Sequence, residues 1–244
     1  MTSLDELTQD AIFGGKVRLQ QHATGYRYSI DAILLAHFCQ IEESAGTILD
    51  LGAGNGAVTL ALAHLNPITS VRAVEVQPEL AALAQLNIQR NGLSDRVRID
   101  CADVRSWREG EGFDNIVMNP PFYAENEGRL NPDPGKAAAR HELNGTIAEL
   151  VGATRRLLSE NGALHLVYPS HKLEVALDAF RGARLTLDRM RSVHPSPSEP
   201  ARMVLLRARK GRGVKPLQIL PGWTIRANDG EYTEEMTRML DGRP

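Results

Sequence analysis

Apolar residues along this chain alternate between two periodicities. Runs rich in Val, Ile and Leu at 47–51, 71–76, 97–101, 115–118, 163–168, 185–193 and 203–208 predict seven strands. Stretches between them carry apolar residues at helical spacing. One opens at Ser29, with Ile30, Ile33, Leu34, His37 and Phe38 on one stripe; Ser29 suits an N-cap, and Asp31 suits the positive helix end. Others span 57–65, closed by Asn66-Pro67, and run from Pro78 through Leu80, Leu83, Ala84 and Asn87 to Asn91-Gly92. Two more cover 146–158, stopped at Asn161-Gly162, and 172–180. The first 28 residues show little periodicity; Leu19 to His22 and Gly25 to Tyr28 suit a short hairpin or a loop. Beyond Gly211 the pattern fades until a short helix at 233–240.

Strands that alternate with helices predict an α/β, Rossmann-like, doubly wound sheet with helices on both faces. Only the turn His194-Pro195-Ser196-Pro197 separates the last two of the seven strands, so the mostly parallel sheet must hold one antiparallel strand. The expected organisation is an N-terminal extension (1–28), one catalytic domain (29–210) and a C-terminal tail (211–244) packed on that domain.

Composition adds limits. With 244 residues, 42% hydrophobic and 24% charged, the chain is an ordinary globular one. No apolar run approaches the ~20 residues of a membrane span. The N-terminus has acids and no basic leader, so a cytoplasmic protein is expected. Cys39 and Cys101 sit in apolar contexts without metal spacing, which predicts buried free thiols and no metal. Net charge is −2, yet residues 181–215 hold ten Lys/Arg and two acids, which makes that segment +8 and the remainder −10. Such a segment suits a polyanion or, alternatively, a solvated surface.

Candidate chemistry begins at the end of the first of these strands. Asp50-Leu51-Gly52-Ala53-Gly54-Asn55-Gly56 places three glycines at alternate positions between a strand and a helix. Glycine tolerates φ > 0 and lets a ligand approach the backbone. Dinucleotide loops use G-x-G-x-x-G to cradle pyrophosphate. Here the spacing is tighter and Asp50 precedes it, which fits S-adenosylmethionine (SAM), a cofactor with an ammonium group and no phosphate. Glu75, followed by Val76 at the end of the next strand, is placed to accept ribose hydroxyls. Asp103 is placed to bond the adenine amino group, with Ala102 supplying backbone contact. The alternative is a purely structural glycine turn.

The fourth strand ends in Asn119-Pro120-Pro121-Phe122. The lone pair of a planar NH₂ is delocalised, so a methyltransferase must turn it out of plane. The Asn119 amide oxygen and the Pro120 carbonyl can each accept one N–H of such a group. The prolines fix φ and remove competing donors, and Phe122 offers a stacking face. Asn119 also borders the cofactor. Arg140 and His141, beside Glu142, are candidates to touch substrate, or else form a charge cluster at a helix N-terminus. The loop 123–137 is rich in Asn, Pro and Gly, a composition that suits mobility before substrate binds.

DLGAGNG with NPPF resembles the amino-group SAM methyltransferases, which include adenine-N6 and release-factor glutamine-N5 enzymes. YRYSIDAILLAHF, AARHE, VHPSPSEPARMVLLRARKG and DGEYTEEM together resemble the bacterial valine-tRNA adenine-N6 methyltransferase family, over nearly the whole chain. That resemblance implies methylation of an adenosine next to the anticodon, with S-adenosylhomocysteine as product and tRNA held through the basic 181–215 segment. It places Asp50, Gly52, Glu75 and Asp103 at SAM, beside Gly54 and Gly56 of the loop reading, with Asp31 at the cofactor's border and Asn119 to Phe122 at the adenine. The chain carries Phe122 where the family commonly has Tyr, so stacking survives and a hydroxyl is lost. Glutamine-N5 methylation of a protein shares the same core motifs, and a small-molecule methyltransferase is a further alternative.

Overall fold

The computed structural model describes residues 7–23, 29–39, 46–108, 112–120, 145–211 and 213–243. Strands β1 (Leu7–Ile12) and β2 (Val17–His22) form an antiparallel hairpin. Then follow α1 (Ile30–Phe38), β3 (Thr47–Leu51), α2 (Ala57–Leu65), β4 (Ser70–Glu75), α3 (Pro78–Arg90), β5 (Val97–Cys101) and β6 (Phe113–Met118). The remainder comprises α4 (Ile147–Leu157), β7 (Leu158–Pro169), α5 (Leu173–Gly182), β8 (Thr186–His194), β9 (Met203–Arg209), β10 (Gln218–Thr224) and α6 (Glu234–Leu240).

The main sheet has eight strands, in the order β10-β8-β9-β7-β6-β3-β4-β5. Strand β9 is antiparallel to both neighbours, and every other pairing is parallel, so the single reversed strand is as expected. The eighth strand, β10, was not anticipated. Its sequence QILPGWT buries only Trp223, so it carries no alternation, and Pro221-Gly222 reads as a turn. A register shift between Leu220 and Trp223 accommodates these two residues.

Alternation along the central strands divides the core. Ile48, Val117, Val167 and Leu205 face a layer formed by α1, α2, the hairpin and Met236 and Met239 of α6. Leu49, Leu51, Ile116, Met118, Leu164 and Leu166 face the opposite layer, with Val151 and Leu157 of α4 and Phe180 of α5. Thr146 caps α4 in a reciprocal box: its Oγ1 accepts from the Glu149 N–H, and Glu149 accepts from the Thr146 N–H. Asn161-Gly162 does not stop this helix. Strand β7 starts directly after it, and the pair sits inside the strand, where a Cβ on Gly162 would lie 2.7 Å from the Phe113 carbonyl. The expected hairpin also lies earlier than anticipated, turning through Phe13, Gly14 and Gly15, all with positive φ. The 24–28 half of that expectation lies outside the described residues.

Part of the basic segment, Arg207 and Arg209, holds the sheet together. Asp188 is the extra residue where β8 shifts register against β9. Its buried carboxylate accepts from Arg207 Nε and Nη2 at 2.8 and 2.7 Å and from Arg209 Nε at 3.0 Å. Burial opposes its ionisation, but the two guanidiniums prevail and hold the carboxyl below its ordinary range. Removing one partner of a buried ion pair leaves the other charge uncompensated. Asp188→Ala is therefore expected to cost about 3 kcal/mol in urea denaturation; a loss under about 1 kcal/mol, the surface-pair range, would contradict this account.

Candidate active site

Strands β6, β3, β4 and β5 are adjacent and parallel, so the segments that follow them emerge at one edge of the sheet. That edge receives Gly52–Gly56, Glu75-Val76, Ala102-Asp103 and Asn119-Pro120. The chain winds from β3 outward through β4 to β5, then crosses back to β6. This reversal makes the crevice in which open α/β sheets hold ligands.

The glycine loop is fixed from both sides. Gly52, Gly54 and Gly56 have φ of 72°, 57° and 88°. The Gly52 and Ala53 N–H groups donate to the Val74 carbonyl at 2.9 and 3.1 Å. Gly56 is the N-cap of α2, and a Cβ there would come within 3.3 Å of Ala84 Cβ on α3. Gly52 differs: among the described residues it is exposed, and a Cβ there would meet no described atom within 4 Å. Among the described residues the loop thus leaves space beside its backbone, as a bound SAM requires.

Glu75 is 4% exposed. Its Oε2 accepts from the Gly54 N–H and its Oε1 from the Gln77 N–H, both at 2.8 Å. It therefore shapes the loop as well as facing the crevice edge, and one lone pair on each oxygen remains. Ala102 donates its N–H to the Glu75 carbonyl at 2.9 Å. Asp103 is gripped by Arg105, whose Nε reaches both carboxylate oxygens at 2.9 Å and whose Nη2 lies 2.6 Å from Oδ2. The Arg105 hydrogen bonds hold its carboxyl below the ordinary range. A bond from Asp103 to an adenine would share the carboxylate with Arg105, a neighbour the sequence reading did not single out.

Asp50 lies within β3 rather than on the loop and is 1% exposed. Its Oδ2 accepts from Thr59 Oγ1 on α2 at 2.6 Å. Burial pushes its carboxyl up to about 7. At the start of α1, Ser29 occupies the N-cap position without making the cap bond; its hydroxyl donates instead to Asp31 Oδ2 at 2.6 Å. Asp31 is buried, and desolvation raises its carboxyl. Asn119 is half-buried and Pro120 buried. Pro121, Phe122, Arg140, His141 and the 123–137 loop lie outside the described residues.

The two cysteines differ from one another. Cys39 is buried, but Cys101 is exposed because it ends the edge strand β5. Trp107 and Trp223 are buried packing residues. The basic segment spends much of its charge internally: Arg181 pairs with Asp178, Arg202 with Glu199 and Lys210 with Glu160, and Arg191 lies 4.2 Å over the Trp223 ring. Arg184 and Lys215 are exposed. Among the described residues, no group of three His, Cys, Asp or Glu could hold a metal, and no helix is long and apolar enough to cross a membrane.

The methyltransferase small domain family matches residues 30–185. A protein of Flavobacterium psychrophilum named tRNA1(Val) (adenine(37)-N6)-methyltransferase is 30% identical over 92% of this chain and 94% of its own length. A protein of the same name from Porphyromonas gingivalis W83 is 31% identical over 76% of both chains. Among solved structures, a predicted O-methyltransferase from Agrobacterium tumefaciens superposes with a TM-score of 0.70 and 23% identity, over 87% of this chain and 96% of that one. This last likeness bears on the fold alone.

The Asp50 carboxyl gives a pH signature. Between about pH 4 and pH 7 the folded protein keeps at Asp50 a proton that the unfolded chain releases, so this group lowers stability as pH rises through that window. Asp50→Asn keeps an acceptor for Thr59 and removes the titration. The stability of the wild type relative to Asp50→Asn, from denaturation at a series of pH values, is expected to fall from pH 4 to pH 7. A difference independent of pH would contradict the burial argument.

Proposed function

The chain belongs to the methyltransferase small domain family and, within it, to the bacterial valine-tRNA adenine-N6 methyltransferases, and from that footing we propose that it methylates the N6 amino group of an adenosine beside the anticodon of valine tRNA. It is a SAM-dependent methyltransferase. When bound, SAM supplies a methyl group activated by its sulfonium. The substrate assignment draws on the relatives' printed names; the observation that carries the chemistry is Asn119-Pro120 leaving β6 directly beside the glycine loop that leaves β3.

In this reading the protein's residues act mainly by placement. The glycine loop, Glu75 and Val76 hold the ribose side, and Ala102 and Asp103 hold the adenine of the cofactor. Asp50 lies beneath the loop and favours a cationic ligand. The Asn119 amide oxygen and the Pro120 carbonyl accept the two N–H bonds of the substrate amino group and turn its lone pair toward the methyl carbon. Phe122 stacks on the substrate base, and Arg140 and His141 contact the RNA. Orientation supplies most of the rate, so no strong base is required. Because several arginines of 181–215 are already paired, the charge of that segment supports an RNA partner only through groups such as Arg184 and Lys215. The protein would act in the cytoplasm, where tRNA is matured.

Asn119→Ala tests the assigned role. Loss of one of the two acceptors misorients the amino group, and kcat for tRNA methylation should fall about 10²-fold or more. Calorimetric SAM affinity should stay within about threefold, since the loop and Glu75 are untouched. Wild-type turnover in Asn119→Ala would remove Asn119 from the mechanism.

A further inference from the structure

One buried side chain joins the N-terminal hairpin to the glycine loop. Asn87, on α3, has no exposed surface. Its Oδ1 accepts from the Gln20 N–H of β2 at 2.8 Å, and its Nδ2 donates to the Gln20 carbonyl at 2.9 Å. The same Nδ2 donates to the Asn55 carbonyl, also at 2.9 Å. Asn55 is the residue between Gly54 and Gly56.

Asn91, one turn later, repeats the first part of this pattern. Its Oδ1 accepts from the Arg18 N–H at 2.9 Å and its Nδ2 donates to the Arg18 carbonyl at 2.7 Å. Four residues of helix advance about 6.0 Å, and two residues of antiparallel strand about 6.8 Å. The two amides therefore meet the outward edge of β2 as a neighbouring strand would, each presenting a donor and an acceptor to one residue. They differ in one respect. The second bond of Asn91 Nδ2 goes back to the Asn87 carbonyl within its own helix, whereas that of Asn87 goes to the loop.

The loop needs this support at that point. Its first half hangs on β4, through Val74 and Glu75. In its second half the Asn55 side chain is buried, Oδ1 has no hydrogen-bond partner among the described residues, and Nδ2 is 3.5 Å from Gln21 Oε1, at the limit of a bond. The Asn55 side chain therefore anchors the turn poorly. The Asn55–Gly56 peptide, which leads into a φ of 88°, is instead held by Asn87 through its carbonyl and by the Gly56 N–H bond to Ala53.

We propose that Asn87 is a positioning residue for the cofactor: it sets the loop's second half to the hairpin and α3, so that SAM affinity depends on a side chain outside the crevice. The inference rests on the reading of the Gly52–Gly56 loop as the SAM site. Asn87 acts before and during cofactor binding and has no part in orienting the substrate amino group.

The test is calorimetric binding of S-adenosylhomocysteine to the full-length protein, alongside kcat at saturating SAM. Asn87→Ala should weaken binding about tenfold, as expected for one lost hydrogen bond that holds a preorganised site, with kcat within about twofold of wild type. Asn91→Ala breaks the same hairpin docking without touching the loop, so it should lower Tm but leave Kd within about twofold. Wild-type affinity in Asn87→Ala overturns the proposal. Equal weakening in both variants also overturns it, because the effect would then belong to hairpin docking as a whole. Should Asn87→Ala not fold, the smaller change Asn87→Ser must show the same Kd loss, and wild-type affinity there is equally fatal. Failure of the loop reading itself gives a different pattern: the wild type binds, and Gly52→Val, which fills the open space beside the loop, binds as tightly.

Discussion

Two backbone amides converge on the carboxylate of Glu75, and the cofactor side of the protein depends on that convergence. One comes from Gly54, in the loop after β3, and the other from Gln77, the N-cap of α3. Charge-assisted bonds to backbone N–H groups are stronger than neutral ones. A buried N–H left without a partner costs about 1–3 kcal/mol. One acid therefore ties the end of β4 to the loop beside it and to the helix that follows. The loop's shape is settled by the protein itself, which lowers the ordering a bound cofactor would otherwise require.

The elements outside the sheet reinforce the same region. The hairpin packs on α2 and α3, and α6 packs on α1 in the same layer, where His37 Nε2 meets the Met239 carbonyl at 3.0 Å. Lys16, in the hairpin turn, donates to the Asp241 carbonyl at 2.9 Å, so the hairpin and the segment that ends α6 are joined directly. Toward the β10 end of the sheet, β8 and β9 are joined through Asp188 and its two arginines. The basic run in the sequence is thus in part a structural feature, with its charge partly neutralised by Asp188, Glu199, Asp178 and Glu160.

What was legible in the sequence follows from how local each signal is. The strand–glycine–helix unit at 47–65 was readable because its strand, its turn and its helix lie within twenty residues and each has its own chemistry. The position of Asn119-Pro120 at the end of β6 was readable for the same reason. The single antiparallel strand followed from a connection too short for a crossover. Strand β10 was missed because it lies at the sheet edge, buries one side chain and contains Pro221-Gly222; a parallel neighbour distant in sequence imposes its conformation. Asn87 was visible only as a polar residue at an apolar helical position, and nothing local indicates that its partners are Gln20 and Asn55. The same holds for Arg105, which appears in sequence as one more surface charge two residues from Asp103.

The central claim is that the glycine loop and Asn119-Pro120 form one site that moves a methyl group from SAM to an adenine amino nitrogen. Its most direct test is nucleoside mass spectrometry of unmodified valine tRNA incubated with the protein and methyl-labelled SAM. The account predicts labelled N6-methyladenosine at the adenosine beside the anticodon. Label on a different nucleoside, or no transfer to RNA together with labelled N5-methylglutamine in a protein substrate, would contradict it.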